Sequence, residues 1–402
     1  MERILIVGGG PIGLALGVSL VRRGVPITIV DKQPEISTFP KASTVHAPTL
    51  EILEEWGLLE PLMKIGRIAD KVQYWNRSTE ALIAEFDLRK LSAHTPHPYR
   101  LHVDQHYVSK VLYEYLLKEE LADIRFETEL IGLTQDESGV EATLTSAAGK
   151  ETLRFPFAIG ADGISSTVRK LLGIAFTGHS NPHYHLLMGL KNYEIADRFS
   201  RLGYVAMFLH PTDWVDMITN KDMLKVIIPL TEAQIDNVDE RMIRDKLKEI
   251  DIVKEGFDLF YHTVYKTHQL VADRMVQGRV VLIGDAAHVN VEFGGMGMNS
   301  GIHDAYSLAD KLYAALQGEN YKTLFESFER LRMLVTKESV QKTTIANTEL
   351  IQNTEKKQEE LKKTAADDEL ALRHMLRITM IEGFRLMLAE SEKTRTVSTN
   401  NG

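Results

Sequence analysis

The stretch ILIVGGGPIGLALGVSLVRRGVPITIVDKQ, residues 4–33, constrains the fold more than any other part of the chain. An apolar run meets a glycine turn, a helical stretch follows, and a second apolar run ends on Asp31. That order is a βαβ unit, whose parallel strands commit the chain to an α/β sheet with helices on its faces. Gly8, Gly10 and Gly13 stand in GxGxxG spacing at the strand–helix turn. The first makes the turn, the second lets a pyrophosphate reach the backbone, and the third lets helix and sheet pack closely. Pro11 and Ile12 open a helix whose unpaired N–H groups and dipole face the same place. Asp31, with Lys32 beside it, stands where a carboxylate accepts from ribose hydroxyls. The unit therefore predicts FAD or NAD.

Two later motifs extend this reading. In FAIGADGISSTVRKLLGI (157–174), Asp162 and Gly163 follow a short apolar strand and Arg169 lies further along. Taken alone, Asp-Gly is a turn. In GRVVLIGDAAHVNVEFGGMGMNSG (278–301), Asp285 ends an apolar strand, and Gly294, Gly295 and Gly297 precede a helix expected from Met298–Asn299. The carboxyl ends of strands are where open α/β sheets bind ligands. A helix N-terminus there favours negative charge. Two glycine loops, each with an acid, suit a long ligand.

The remaining sequence sets bounds. A net charge of −9 opposes nucleic-acid binding and an anionic membrane surface. The absence of cysteine excludes disulfides, thiolate catalysis and cysteine-ligated metals. No apolar run reaches a membrane span, and a first strand starting at Arg3 leaves no room for a signal peptide, so a cytoplasmic protein is expected. The histidines of HTPHPYRLHVDQH (94–106) lack helical ligand spacing, and Pro96 and Pro98 break any helix, so no metal is expected. Patterning predicts helices over 42–62, 108–121 and 235–248, strands within 69–104 and 183–230, and a β-meander over 124–159. From 302 onward it predicts mostly helix, with a charged helix or linker at 353–366 and a disordered tail at 391–402.

Together these motifs resemble the p-hydroxybenzoate hydroxylase type of FAD-dependent aromatic monooxygenase, also called class A, over residues 3–315. The resemblance implies a Rossmann-type FAD-binding domain with an inserted mixed β-sheet substrate domain and a helical C-terminal part. The implied parts are 1–70, 106–175 and 276–330 for FAD, 71–105 and 176–275 for substrate, 331–390 for C-terminal helices, and 391–402 for the tail. It assigns the ADP part of FAD to Gly8, Gly10, Pro11, Ile12, Gly13, Asp31 and Lys32, and the ribityl chain to Asp285. Gly295, Gly297, Met298 and Asn299 fall at the flavin ring, and Asp162 and Arg169 at FAD and NAD(P)H. KASTVHAPTLEIL (41–53) and VDQHYVSKVL (103–112) add Lys41, where the family has arginine, and Gln105. Asn290, Val291 and Glu292 stand where the family has prolines, with Glu292 expected to face solvent.

The implied activity is hydroxylation of a phenolic or N-heteroaromatic compound by NADH or NADPH and O2, through a flavin C4a-hydroperoxide. The alternative is an FAD-dependent reductase or dehydrogenase of the same fold. His46, His185, Tyr204 and His210 are candidates for a base or proton relay. The apolar stripe in 368–390 is expected to pack on the FAD domain or at a homodimer contact, in preference to a membrane surface.

Overall fold

The computed structural model describes residues 2–39, 42–291, 293–352 and 355–389. The βαβ unit forms as expected: strands Ile4–Val7 and Ile27–Val30 pair in parallel around helix Pro11–Val21. Every residue of both strands is buried, which is why they read as unbroken apolar runs. Ala158–Gly160 and Val280–Leu282 extend the sheet on one side and Ala122–Arg125 on the other, all in parallel. Val276–Gln277 closes one edge antiparallel, completing six strands. This sheet brings the ends of three motif strands side by side, at Val7, Gly160 and Leu282. The meander Glu129–Asp136, Gly139–Ser146 and Gly149–Phe155 adds Leu130, Val140, Ala142 and Leu144 to the same core.

Three expected helices come out differently, and the one over 235–248 is the short helix Glu232–Ile235 followed by helix Glu240–Ile250. The first, over 42–62, is strand Thr44–Val45 followed by helices Ala47–Glu55 and Leu59–Ile65, separated at Gly57, whose φ is +73°. The second starts earlier, at Gln105, and stops at Leu116, because Ala122–Arg125 pairs with Ile27–Val30. That tertiary pairing overrides local helical pattern.

An eight-stranded sheet forms the second body. Its order is His288–Val289, Asp258–Ala272, Phe176–Lys191, Leu224–Leu230, Val215–Thr219, Val205–Leu209, Lys71–Asn76 and Leu82–Asp87. Side chains alternate between its faces. Leu186, Met188, Val226 and Ile228 join one core with Ile243 and Leu247 of helix Glu240–Ile250. Leu187, Met207, Trp214 and Ile227 join another, with Phe293 and the C-terminal helices. Arg100–His102 leaves this sheet and pairs with Thr44–Val45 and Arg67–Ala69, between the two bodies.

At the C-terminus, Glu355–Ala366 and Asp368–Ile378 are helices. The stripe expected at 368–390 packs inward: Ala371, Met375, Ile378 and Ile381 enter the second core, and Phe384 and Met387 the first. It is two helices, turning at Met380, whose φ is +63°. No described helix is long and apolar enough to cross a membrane. The tail at 391–402 lies outside the described residues.

Candidate active site

The three glycines of the first turn have three different surroundings. Gly8 has φ +115°, and a Cβ there would lie 2.4 Å from the Ala161 carbonyl oxygen, so the turn needs glycine. A Cβ at Gly13 would lie 1.9 Å from the Gly8 carbonyl oxygen, which is close packing of helix on strand. A Cβ at Gly10 would meet no described atom within 4 Å. Gly10 is therefore not demanded by packing, and it lines a cleft of about 310 Å³. Bare backbone with space in front of it fits a pyrophosphate lying against the helix N-terminus.

Asp31, Lys32, Gln105, Asp162, Asp285 and Met298 line the same cleft, as do Pro11 and Ile12. Asp31 accepts from the Gly9 amide at 2.6 Å and the Gln33 amide at 2.8 Å. A carboxylate has about four acceptor positions, so ribose hydroxyls can still be met. Asp162 is differently employed. It accepts from Ser166 Oγ at 2.6 Å and from the Thr167 and Val168 amides, so its oxygens hold the turn into helix Thr167–Leu171. Arg169 is not among the cleft-lining residues. Its guanidinium donates to the Ala286 carbonyl at 2.8 Å and the Ile164 carbonyl at 2.6 Å, tying the second motif to the third. Both residues shape the cleft by fixing its backbone.

The third motif is braced from behind. Ile12 packs against Gly284 and Gly301, where a Cβ would approach its side chain to 3.1 Å and 2.6 Å. Asp304, fully buried, accepts from the Gly284 amide at 2.9 Å, and its other oxygen pairs with the buried Arg332. His288 Nε2 lies 2.7 Å from Asp304. The Arg332 charge, the contact with His288 and the Gly284 amide hold the Asp304 carboxyl below the usual range despite burial. This network fixes the loop that presents Asp285 to the cleft. Asp304 and Arg332 belong to no motif; the only sequence signal is a charge on the apolar face of a helix.

Helix Gly297–Leu316 begins beside the cleft with no described side chain capping it. Its first amides have no intrahelical acceptor, so they face outward with the positive dipole end. Asn299 does not spend its side chain on a ligand. It donates to the Thr44 and Gly295 carbonyls at 2.9 Å and 2.7 Å and accepts from the His46 amide at 2.9 Å. Gly295 sits against Thr44, where a Cβ would come within 2.8 Å. Lys41 and Glu292 lie outside the described residues.

Behind this loop the sheet face is apolar except for one polar island. Arg100, 5% exposed, donates to the Ile378 carbonyl at 2.9 Å. Its Nε has no hydrogen-bond partner among the described residues. Its charge acts on Tyr74, Asp216, His46 and His374. His46 is fully buried, and its Nε2 meets the Gly294 carbonyl at 2.7 Å, so Nε2 carries the proton. Its Nδ1 then keeps a lone pair, with no partner among the described residues. Burial first, and Arg100 next, hold the His46 pKa well below the usual histidine value, so the ring is neutral. His185, the second candidate, packs edge-on to Trp214 at 5.1 Å and to Tyr265, with Phe293 at 5.6 Å. His46 and His185 are thus both brought to the 293–295 loop.

The other two candidates are not. Tyr204 is 42% exposed, with Arg67 over its ring. His210 accepts from the Asp213 amide at 2.9 Å and the Thr212 amide, a turn-capping role. Arg100, Tyr74 and Asp216 were not singled out from the sequence, since each sits in a strand with no motif.

Comparison with known proteins agrees with this geometry. The family described as FAD binding domain matches residues 1–343. A para-nitrophenol 4-monooxygenase from a Pseudomonas species is 30% identical over 344 residues, covering 83% of this chain and 84% of that one. A 6-hydroxy-3-succinoylpyridine 3-monooxygenase of Pseudomonas putida is 28% identical, covering 82% and 83%. The crystal structure of a p-nitrophenol 4-monooxygenase from Pseudomonas putida superposes with a TM-score of 0.86 at 26% identity, over 96% of this chain and 98% of that one. A chain whose three glycine-bearing turns converge on one cleft, and which matches that family over most of its length, belongs to the FAD-binding-domain family of class A aromatic monooxygenases.

Proposed function

We propose that this chain is a flavin-dependent monooxygenase that hydroxylates a phenolic or N-heteroaromatic small molecule with O2 and NAD(P)H, and that its preferred substrates bind with the ring hydroxyl ionised. The observation that carries the ionised-substrate reading is Arg100, a guanidinium 5% exposed whose charge acts on His46, the ring held by the Gly294 carbonyl. Burial lowers its pKa and the Asp216 carboxylate offsets that only in part, so an anionic ligand would further stabilise the charge. A phenolate is such an anion, and its electron-rich ring is the kind that accepts an electrophilic oxygen. The two relatives named above act on hydroxylated rings by their names, a nitrophenol and a hydroxypyridine.

Bound FAD supplies the redox and oxygen-activating chemistry, which no side chain here possesses. The protein's own parts do the rest. Gly10 and the Pro11–Val21 helix end hold phosphate, Asp31 and Asp285 stand at the two sugar-like segments, and the amides of Gly297–Asn299 stabilise negative charge at the ring end. Leu187, Met207, Trp214 and Ile227 make a dry wall that orients the substrate ring. Arg100 holds the ring oxygen as an anion. His46, kept neutral, offers Nδ1 as a hydrogen-bond acceptor and does not serve as a strong base. The cytoplasm, which supplies reduced pyridine nucleotide, is the setting we assign.

The test is NAD(P)H oxidation with oxygen uptake over a panel of phenols and hydroxypyridines of graded acidity. The reading predicts that the more acidic members stimulate both and give a product one oxygen heavier. Stimulation by none of them, with turnover of electron-poor alkenes or quinones instead, would replace it with the reductase reading.

A further inference from the structure

The two bodies meet at a buried ion pair beside the cofactor cleft. Lys225, 2% exposed, pairs with Asp104 at 2.6 Å. The same Asp104 oxygen, Oδ1, accepts from Ser43 Oγ at 2.8 Å and from Asn220 Nδ2 at 2.8 Å, and Lys225 Nζ also donates to Ser43 Oγ. Asp104 precedes helix Gln105–Leu116, where an aspartate ordinarily caps the first amides. Its side chain makes no such cap. The carboxylate turns to the eight-stranded sheet instead: Lys225 stands in strand Leu224–Leu230, and Asn220 in the turn before it.

Each partner continues into a part of the site. On the cofactor side Gln105, next to Asp104, lines the cleft. Ser43 is held beside it by backbone: its carbonyl accepts from the Val103 amide at 3.0 Å, and the Ala42 carbonyl from the Gln105 amide at 2.9 Å. Thr44, next in the chain, lies against Gly295, and its carbonyl accepts from Asn299 Nδ2 at 2.9 Å. On the sheet side alternate residues share a face, so Lys225 and Ile227 project the same way. Ile227 belongs to the apolar wall with Leu187, Met207 and Trp214, while Leu224, Val226 and Ile228 fill the opposite core. One lysine thus links the wall to Gln105 and to the Gly295–Asn299 loop.

A buried ion pair is a weak source of stability, because desolvation offsets the attraction; its best-attested use is to fix one arrangement among several. The bodies are docked here without it. Arg67 donates to the Asn220 and Lys221 carbonyls at 2.9 Å and 2.8 Å, and His102 Nδ1 lies 3.0 Å from the Thr219 carbonyl oxygen. What the pair adds is register.

We propose that Lys225, through Asp104 and Ser43, is a positioning residue that sets the apolar wall against the flavin-ring loop and so keeps the substrate ring within reach of oxygen transfer. That the wall carries the substrate rests on the function proposed above; the tie between sheet and loop does not. In register, NAD(P)H, a proton, O2 and the aromatic compound give NAD(P)+, water and the hydroxylated ring. Out of register, NAD(P)H, a proton and O2 give NAD(P)+ and hydrogen peroxide, and the ring is unchanged.

The double variant Asp104→Asn/Lys225→Met, in the FAD-loaded enzyme, tests this. It removes both charges together, so neither is stranded, and the amide keeps an oxygen for Ser43 and Asn220 to donate to. Thermal melting and FAD content should stay near wild type, while the visible circular dichroism of the bound flavin changes. With 4-nitrophenol and NAD(P)H, the ratio of hydroxylated product to hydrogen peroxide should fall at least tenfold, since a displacement of about 1 Å at a reacting centre can cost about 100-fold. Lys225→Arg, which keeps the charge, should stay nearer to wild type on both readings. Ser43→Ala keeps the ion pair and cuts its link to Thr44; it should move both readings the same way by less, and it decides the matter if the double variant does not fold. Wild-type flavin dichroism in the double variant and in Ser43→Ala would reduce the pair to a structural tie and overturn the proposal. If the wild type hydroxylates no phenol, the proposed function falls, and the flavin dichroism still decides for or against the pair.

Discussion

The cofactor cleft and the interior proposed for substrate are built from different materials. The cleft is made of backbone: glycine turns, helix ends and carboxylates spent on amides, such as Asp162 on Thr167 and Val168. The interior is made of side chains from strands far apart in sequence, such as Arg100, Tyr74 and Asp216. Backbone recognition fixes which residues may stand at each position and leaves a spacing behind. Side-chain recognition leaves none, and it is free to vary with the substrate.

The largest effects are expected where cleft backbone touches itself. Gly13→Ala places a Cβ 1.9 Å from the Gly8 carbonyl oxygen, and should yield protein that neither folds stably nor retains FAD by thermal melting and flavin absorbance. Arg332→Met strands the buried Asp304 carboxylate; a loss of about 3–5 kcal/mol by denaturant titration is expected. A smaller loss would show that Asp304 is held well enough by Gly284 and His288. The interior should behave in the opposite way. Arg100→Met should lower kcat/KM for acidic phenols about 100-fold, roughly 2.7 kcal/mol, while FAD content is unchanged. Equal loss for neutral aromatic substrates would deny it the anion role.

Acid should loosen both regions. His46, His102, His303 and His374 are buried neutral, the last two with pKa values lowered to about 3 and His102 to about 4. The unfolded chain binds protons near 6.5 that the folded chain refuses, so stability falls as pH drops below about 6.5 and keeps falling toward 3. A melting temperature flat from pH 7 to 4 would contradict this. Gly10→Ala separates cradle from scaffold: a melt unchanged within about 1 kcal/mol, yet FAD bound about tenfold more weakly by fluorescence titration. Tyr204→Phe, at the exposed rim beside Arg67, should change neither turnover nor stability; a loss of turnover would put it back in the reaction.

The same division decides what the sequence made legible. The βαβ unit, the meander and the helix after Gly297 were readable because glycine spacing and period-2 or helical patterns act locally. The 42–62 segment was misread as one helix because Thr44–Val45 is a strand only through pairing with Arg100–His102. Gly10, Asp31 and Asp285, singled out in the sequence, all line the cleft. Asp162 and Arg169 were found, but their contacts are to the protein's own turns. Asp304, Arg332 and Arg100 were not found, since a buried charge looks like any other charge until its partners are known.

The most direct test of the central claim is turnover of an acidic phenol under ¹⁸O-labelled oxygen in unlabelled water. The account predicts one labelled oxygen in the aromatic product, with NAD(P)H consumed in step. Product carrying oxygen from water, or NAD(P)H consumed with no oxygen incorporated into any ring, would contradict it.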